Sequence, residues 1–233
     1  MPSPEQLFFA LAGGILPALL WLWFWLHEDR LHPEPRGRIV SAFLAGMGAA
    51  VLAYPLERFV LSWKPTLLII FISWAVIEEL VKFSAAYFSA LRSKDDDEPI
   101  DPVMYLITAA LGFAALENTL YLLGIGMEGD VFRSVVMGNF RFVGATLLHV
   151  LSAGIAGIAL GFSFYKPKMV RVLAGAGGLC TAIILHTLFN VIIIGSKPSS
   201  TFIVFLFVWL ALTLLLAAFE KLKQLERKHS CNL

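Results

Sequence analysis

Seven apolar runs follow one another almost without pause, at residues 7–26, 39–61, 66–90, 103–126, 142–164, 170–196 and 200–219. Each is long enough to cross a hydrocarbon core of about 30 Å. A lipid interior offers no water to unpaired backbone N–H and C=O groups, so such segments must close their hydrogen bonds internally, as α-helices. The expected fold is therefore all-α: a polytopic transmembrane helix bundle of seven spans. An eighth, shallow helix fits residues 128–141, where Val131, Val135, Val136 and Phe140 alternate with polar positions. Residues 1–219 read as a single membrane-embedded domain and 220–233 as a charged tail, either solvated helix or disorder. Charged residues make up only 15% of the chain, against roughly 25% in ordinary soluble domains. The first run is too long for a signal-peptide core and lacks a basic leader and a small-residue cleavage site, so it reads as a retained anchor.

The basic residues set an expected orientation. Arg30, Arg36 and Arg38, then Arg92 and Lys94, then Lys166, Lys168 and Arg171, and finally Lys221, Lys223, Arg227 and Lys228 all fall on one side of seven spans. The other side holds only Arg58, Lys64, Arg133 and Lys197. That bias places the N-terminus outside and the C-terminus in the cytoplasm. No basic patch with interleaved aromatics suggests a nucleic-acid partner. Cys180 and Cys231 stand alone, which argues against a disulfide framework or a zinc ribbon. Phosphate-loop, His-Glu-x-x-His and Gly-x-Ser-x-Gly patterns are absent.

Against this apolar background, a few polar residues stand out. Glu78 and Glu79 lie side by side inside the third run, with Lys82 a turn beyond. Ionised carboxylates are expensive at that depth, about 2.5–3.5 kcal/mol each on insertion scales. Glu117, His149 and His186 interrupt three further runs. Counting 1.5 Å per residue from the outer ends, Glu117, His149 and His186 lie roughly 10–16 Å deep, and the two glutamates roughly 18–20 Å. All five share one slab of the bilayer. Adjacent residues point about 100° apart on a helix, so one glutamate is expected to be chemical and its neighbour structural, with Lys82 neutralising one of them. Asn190 shares a helix face with His186, Arg141 lies two turns before His149, and Asn118 could orient a neighbour of Glu117.

Carboxylate and imidazole ligands from separate helices are a normal set for zinc, with a position left open for water. A carboxylate can also take a proton from water that attacks a carbonyl, and an amide can support the oxyanion. Plainer readings exist for each residue. The glutamate pair could face a wet crevice, the histidines could be interhelical hydrogen bonds, Asn190 a cross-link and Arg141 a snorkelling anchor. The chemical alternative is a proton- or cation-coupled transporter using the Glu/His cluster as a relay, although no internal repeat is evident. A non-catalytic scaffold or immunity protein is a further alternative.

The ordered set Glu78-Glu79-x-x-Lys82, Phe113-x-x-x-Glu117-Asn118, Arg141 to His149, and His186-x-x-x-Asn190 resembles the PrsW family of intramembrane proteases. Asp29-Arg-Leu-His-Pro-Glu-Pro after the first run is similar to that family too. Glu117-Asn118 stands where the wider CAAX-processing and bacteriocin-immunity group carries histidine, which favours PrsW. The resemblance implies an intramembrane endopeptidase of metallo- or glutamate-type, with residues 1–219 as its catalytic domain, in a bacterial cytoplasmic membrane. Its substrate would be a single-pass membrane protein of the anti-sigma-factor kind, cut near the outer face. On this footing Glu117, His149 and His186 are the expected ligands of a divalent metal, zinc. Glu78 or Glu79 would be base or fourth ligand, Asn190 the oxyanion donor, and Lys82, Asn118 and Arg141 supporting residues.

Overall fold

The computed structural model describes residues 2–30, 33–127, 144–195 and 201–230. Seven α-helices carry them: α1 (Pro4–Glu28), α2 (Arg36–Ser62), α3 (Leu67–Ala86), α4 (Asp101–Met127), α5 (Ala145–Phe162), α6 (Lys168–Gly195) and α7 (Thr201–Ser230). No strand occurs among the described residues. The stretch proposed as an eighth, shallow helix, with Arg133 and Arg141, lies outside the described residues.

Local chemistry explains the helix ends. Ser3 caps α1 in a reciprocal pair with Gln6, and Pro4 occupies the first turn, where its missing N–H costs nothing. Lys64 adopts φ 50°, a left-handed conformation that stops α2 and turns the chain directly into α3. α3 ends in a π-helical turn, Tyr87–Leu91, closed by the Arg92 N–H on the Tyr87 carbonyl at 3.2 Å. Before α4, the Asp101 carboxylate accepts the backbone N–H groups of Asp97 and Glu98 at 2.8 and 2.7 Å and so ties the connection down.

α4 is the axis of the bundle. It packs against α1, α2 and α5 and touches α3, while α5 lies between α4, α6 and α7. Val103, Tyr105, Ile107, Leu111 and Leu147 are fully enclosed there. Contact between α2 and α4 is backbone to backbone: a Cβ on Gly46 would overlap the Ala109 carbonyl, and one on Gly112 the Phe43 carbonyl. Small residues permit this approach, the usual way that helices associate in lipid. The outer surfaces of the other helices carry Leu16, Trp23, Val51, Leu52, Phe59, Leu173 and Leu214, all exposed and apolar. Water would not tolerate such a surface over a whole protein, whereas a bilayer requires it.

Six of the seven helices are long and apolar enough to cross a membrane. The exception, α3, holds Glu78, Glu79 and Lys82 within 20 residues, so its charges mask a helix of nearly spanning length. The chain is a multi-pass membrane bundle. α7 does not stop at the lipid boundary but runs unbroken to Ser230, with Leu222 fully buried and Lys223 paired to Glu28 of α1 at 3.1 Å.

Candidate functional site

Four helices present polar side chains to one buried point. α3 contributes Glu78, Glu79 and Lys82, α4 contributes Glu117, α5 contributes His149 and Ser152, and α6 contributes His186. Glu78, Glu79, Lys82, His149 and His186 are each at most 6% exposed. One acceptor atom from each of Glu78, His149 and His186 lies within 4.8 Å of the other two.

The two adjacent glutamates do different things. Glu79 Oε1 accepts from Lys82 Nζ at 2.6 Å, from His186 Nδ1 at 2.7 Å and from Ser152 Oγ at 2.9 Å. That oxygen is saturated. Glu78 Oε2 is buried and accepts no hydrogen bond. It faces His186 Nε2 at 3.7 Å and His149 Nδ1 at 3.9 Å.

The histidine tautomers follow from their partners. His186 donates Nδ1–H to Glu79, which leaves the lone pair of Nε2 directed at Glu78. His149 donates Nε2–H to Glu117 Oε2 at 2.9 Å, so its Nδ1 is an acceptor and takes a hydrogen bond from Lys82 Nζ at 2.9 Å. The two rings meet edge-on, 5.5 Å apart. Phe113 walls the site, 5.4 Å from the His149 ring and 5.1 Å beneath the Lys82 ammonium.

Three acceptor atoms therefore converge, of which Glu78 Oε2 and His186 Nε2 have no donor, and among the described residues carboxylates outnumber ammonium groups there: Glu78, Glu79 and Glu117 against Lys82. A buried carboxylate oxygen without a partner costs about 1–3 kcal/mol or more. The donor set, one carboxylate and two imidazoles, matches a zinc-type site. Each imidazole also gives its second nitrogen to a carboxylate, the supporting arrangement that fixes ligating histidines. The residues present fit a divalent metal.

Other sequence candidates lie at the margin. Glu117, with its side chain 34% exposed, meets His149 Nε2 and stands outside the group of three converging atoms. Asn118 is buried and donates to Thr146 Oγ1 at 3.0 Å, a strut between α4 and α5. Asn190 is half-buried one turn beyond His186 and makes no side-chain hydrogen bond among the described residues. Arg141 lies outside the described residues. Two contributors escaped the sequence reading. Ser152 could have been found from its spacing of three from His149, which puts it on the same face. Glu57 of α2 is half-buried within electrostatic range of Glu117 and Lys82; its neighbour Arg58 made that position read as an ordinary interface.

A family model described as PrsW family intramembrane metalloprotease matches residues 34–217. A protein named Protease PrsW from Geobacillus kaustophilus is 30% identical over 168 residues, 70% of this chain and 68% of that one. One of the same name from Halalkalibacterium halodurans is 29% identical over 240 residues, 95% of this chain and 100% of its own length. The Bacillus subtilis Protease PrsW is 27% identical over 172 residues, 71% of this chain and 74% of that one. No solved structure matches the chain.

Proposed function

The chain belongs to the PrsW family of intramembrane metalloproteases, and we propose that it cuts its substrates where Glu78, His149 and His186 converge. It is an intramembrane endopeptidase, held in the bilayer by several crossings, and its substrates are membrane proteins. The transporter reading is not favoured, since a relative that matches 95% of the chain is named a protease.

The unpartnered Glu78 Oε2, facing the open lone pair of His186 Nε2 and the Lys82-bonded Nδ1 of His149, is the observation that carries the reading. Glu78, His149 and His186 would hold the metal, a zinc ion by their donor chemistry. Once bound, that ion lowers the pKa of water and polarises the scissile carbonyl. The remaining roles belong to the chain. Glu79 holds the His186 tautomer, and Lys82 offsets the Glu79 charge while steadying the α3 face. Glu117 is a partly exposed carboxylate that holds His149, and it takes the proton from the attacking water and returns it to the departing amine. Asn190, one turn beyond His186, would supply an amide to a developing oxyanion. The substrate is read as a single-pass, anti-sigma-factor-like protein of a bacterial cytoplasmic membrane. With the N-terminus outside, as the Lys/Arg distribution implies, it would be cut toward the outer leaflet.

Elemental analysis and cleavage of a single-pass membrane substrate test this together. The purified parent should carry about one zinc per chain and cut the substrate. Glu78→Gln keeps the volume but removes the anionic ligand, and should lose both metal and cleavage. Full metal content and unchanged turnover in that variant would sink the assignment.

A further inference from the structure

A second cavity, of about 760 Å³, opens at the other end of the bundle. Phe83 and Tyr87 of α3 and its π-turn form one wall, Leu160 of α5 another, and Val172, Ala176 and Leu179 of α6 a third. Along α6, Ala176 lies ten residues before His186, about 15 Å at helical rise, so this space is separate from the Glu/His cluster. The interior is apolar. Its mouth is not: Lys166, Lys168 and Arg171 stand there with a single carboxylate, Asp96.

The charges at that mouth are unevenly matched. Arg171 Nη2 lies 3.4 Å from Asp96 Oδ2, and its guanidinium rests 4.7 Å over the Phe164 ring. Lys166 and Lys168 are exposed and have no side-chain partner among the described residues. Three cations against one carboxylate leave two positive charges over an apolar slot. The slot runs up α6 from Lys168 to Leu179, eleven residues or about 16 Å.

We propose that this cavity binds an anionic phospholipid from the adjoining leaflet, its phosphodiester among Lys166, Lys168 and Arg171 and an acyl chain against Phe83, Leu160 and Leu179. A soluble anion would satisfy the mouth and leave the apolar slot unused. A zwitterionic lipid would fill the slot but bring an ammonium to a mouth that already holds excess positive charge. Only a net-negative headgroup joined to hydrocarbon matches both parts. Basic pockets between spanning helices are suited to such headgroups. The bound lipid would join α3, which carries Glu78 and Glu79, to α5 and α6, which carry the histidines.

The test uses the full chain, delipidated in detergent and offered phosphatidylglycerol or phosphatidylcholine in equal amounts. Retained lipid is counted by native mass spectrometry and thermal unfolding is followed in parallel. The parent should retain about one phosphatidylglycerol and be stabilised by it more than by phosphatidylcholine. Lys166→Gln with Lys168→Gln should weaken the preference roughly thirtyfold, two lysine contributions at the headgroup, while unfolding in phosphatidylcholine stays at the parent temperature. Ala176→Phe fills the slot and should reduce retention of both lipids. Equal retention of both lipids by the parent, or an unchanged preference in the double variant, overturns the proposal. So does release of the lipid by millimolar inorganic phosphate, which would make the site one for a free anion.

Discussion

At one end of α4, Glu117 meets His149 inside the membrane; at the other, Asp101, Glu34, Asp29 and Tyr105 are packed beneath the connections that precede it. Both places bury several carboxyl groups, and they neutralise them differently. The membrane cluster surrounds its acids with imidazoles and one ammonium, and still leaves Glu78 Oε2 without a donor, facing the open lone pair of His186 Nε2. Among the described residues, no histidine pairs with the acids of the connection cluster. Tyr105 donates its hydroxyl to Glu34, Asp101 takes two backbone N–H groups, and burial raises the pKa of Asp29 to about 8 and that of Asp96 to about 6. Glu34 is raised as well, chiefly by burial. Burial favours the protonated acids in the connection cluster, whereas the membrane cluster holds a donor set that fits a cation. Buried acidity alone therefore does not mark an active site; what the acids face does.

The largest effect that separates the two clusters should come from Lys82. Removing its ammonium leaves Glu79 buried beside Glu78 and Glu117 with no lysine or arginine counter-charge among the described residues. Breaking a buried pair in this way costs about 3–5 kcal/mol. Lys82→Met should unfold far below the parent in detergent, and Glu79→Gln added to it should recover most of the loss. A Lys82→Met protein as stable as the parent would mean that the ammonium is not balancing the cluster.

Glu117 and Asp101 make a milder contrast, since both sit on α4 and only one touches a histidine. Losing a carboxylate behind a ligating imidazole weakens metal binding by about 10–100-fold. Glu117→Gln should therefore bind zinc that much less tightly in a competition titration. Asp101→Asn should leave zinc affinity at the parent value. Equal zinc affinities in both variants would remove Glu117 from the support of His149.

The sequence reading reached the helices more easily than the site, for a physical reason. Every run from 7–26 to 200–219 is apolar on all sides, because lipid and protein neighbours favour the same residues. Length therefore reveals a crossing while periodicity says little about which face turns inward. Polar residues alone mark the azimuth, and depth counting could group Glu78, Glu79, Glu117, His149 and His186 in one slab without ordering them. Which glutamate is saturated depended on where Ser152 and His186 arrive from α5 and α6, a fact of packing. Glu57 was hidden by its basic neighbour. The extension of α7 past 219 was hidden by its charge, because Glu220, Lys223 and Glu226 look solvated until Leu222 and Glu28 are placed against them.

The smallest predicted effect lies in the connection cluster and appears only as a dependence on pH. Asp29 is raised by burial first, then by the charges of Glu34, Glu98 and Glu226, with Lys223 opposing. A carboxyl that holds its proton more tightly when folded gives stability that is complete below the ordinary aspartate range. That stability is lost as pH climbs through the window from about 3.8 to about 8. The parent should therefore lose stability between pH 5 and pH 8, by about 2 kcal/mol once screening at the water boundary is allowed for. Asp29→Asn keeps a neutral side chain at every pH and should make that slope shallower, leaving the contributions of other raised carboxyls, Glu34 and Asp96 among them. Unfolding temperatures of parent and variant across pH 5–8 measure it. Zinc content, which the proposed site at the far end of α4 would set, should be the same in both. Parallel slopes would show that Asp29 is already ionised in the folded protein, and that the connection cluster balances its charge by some means other than protons.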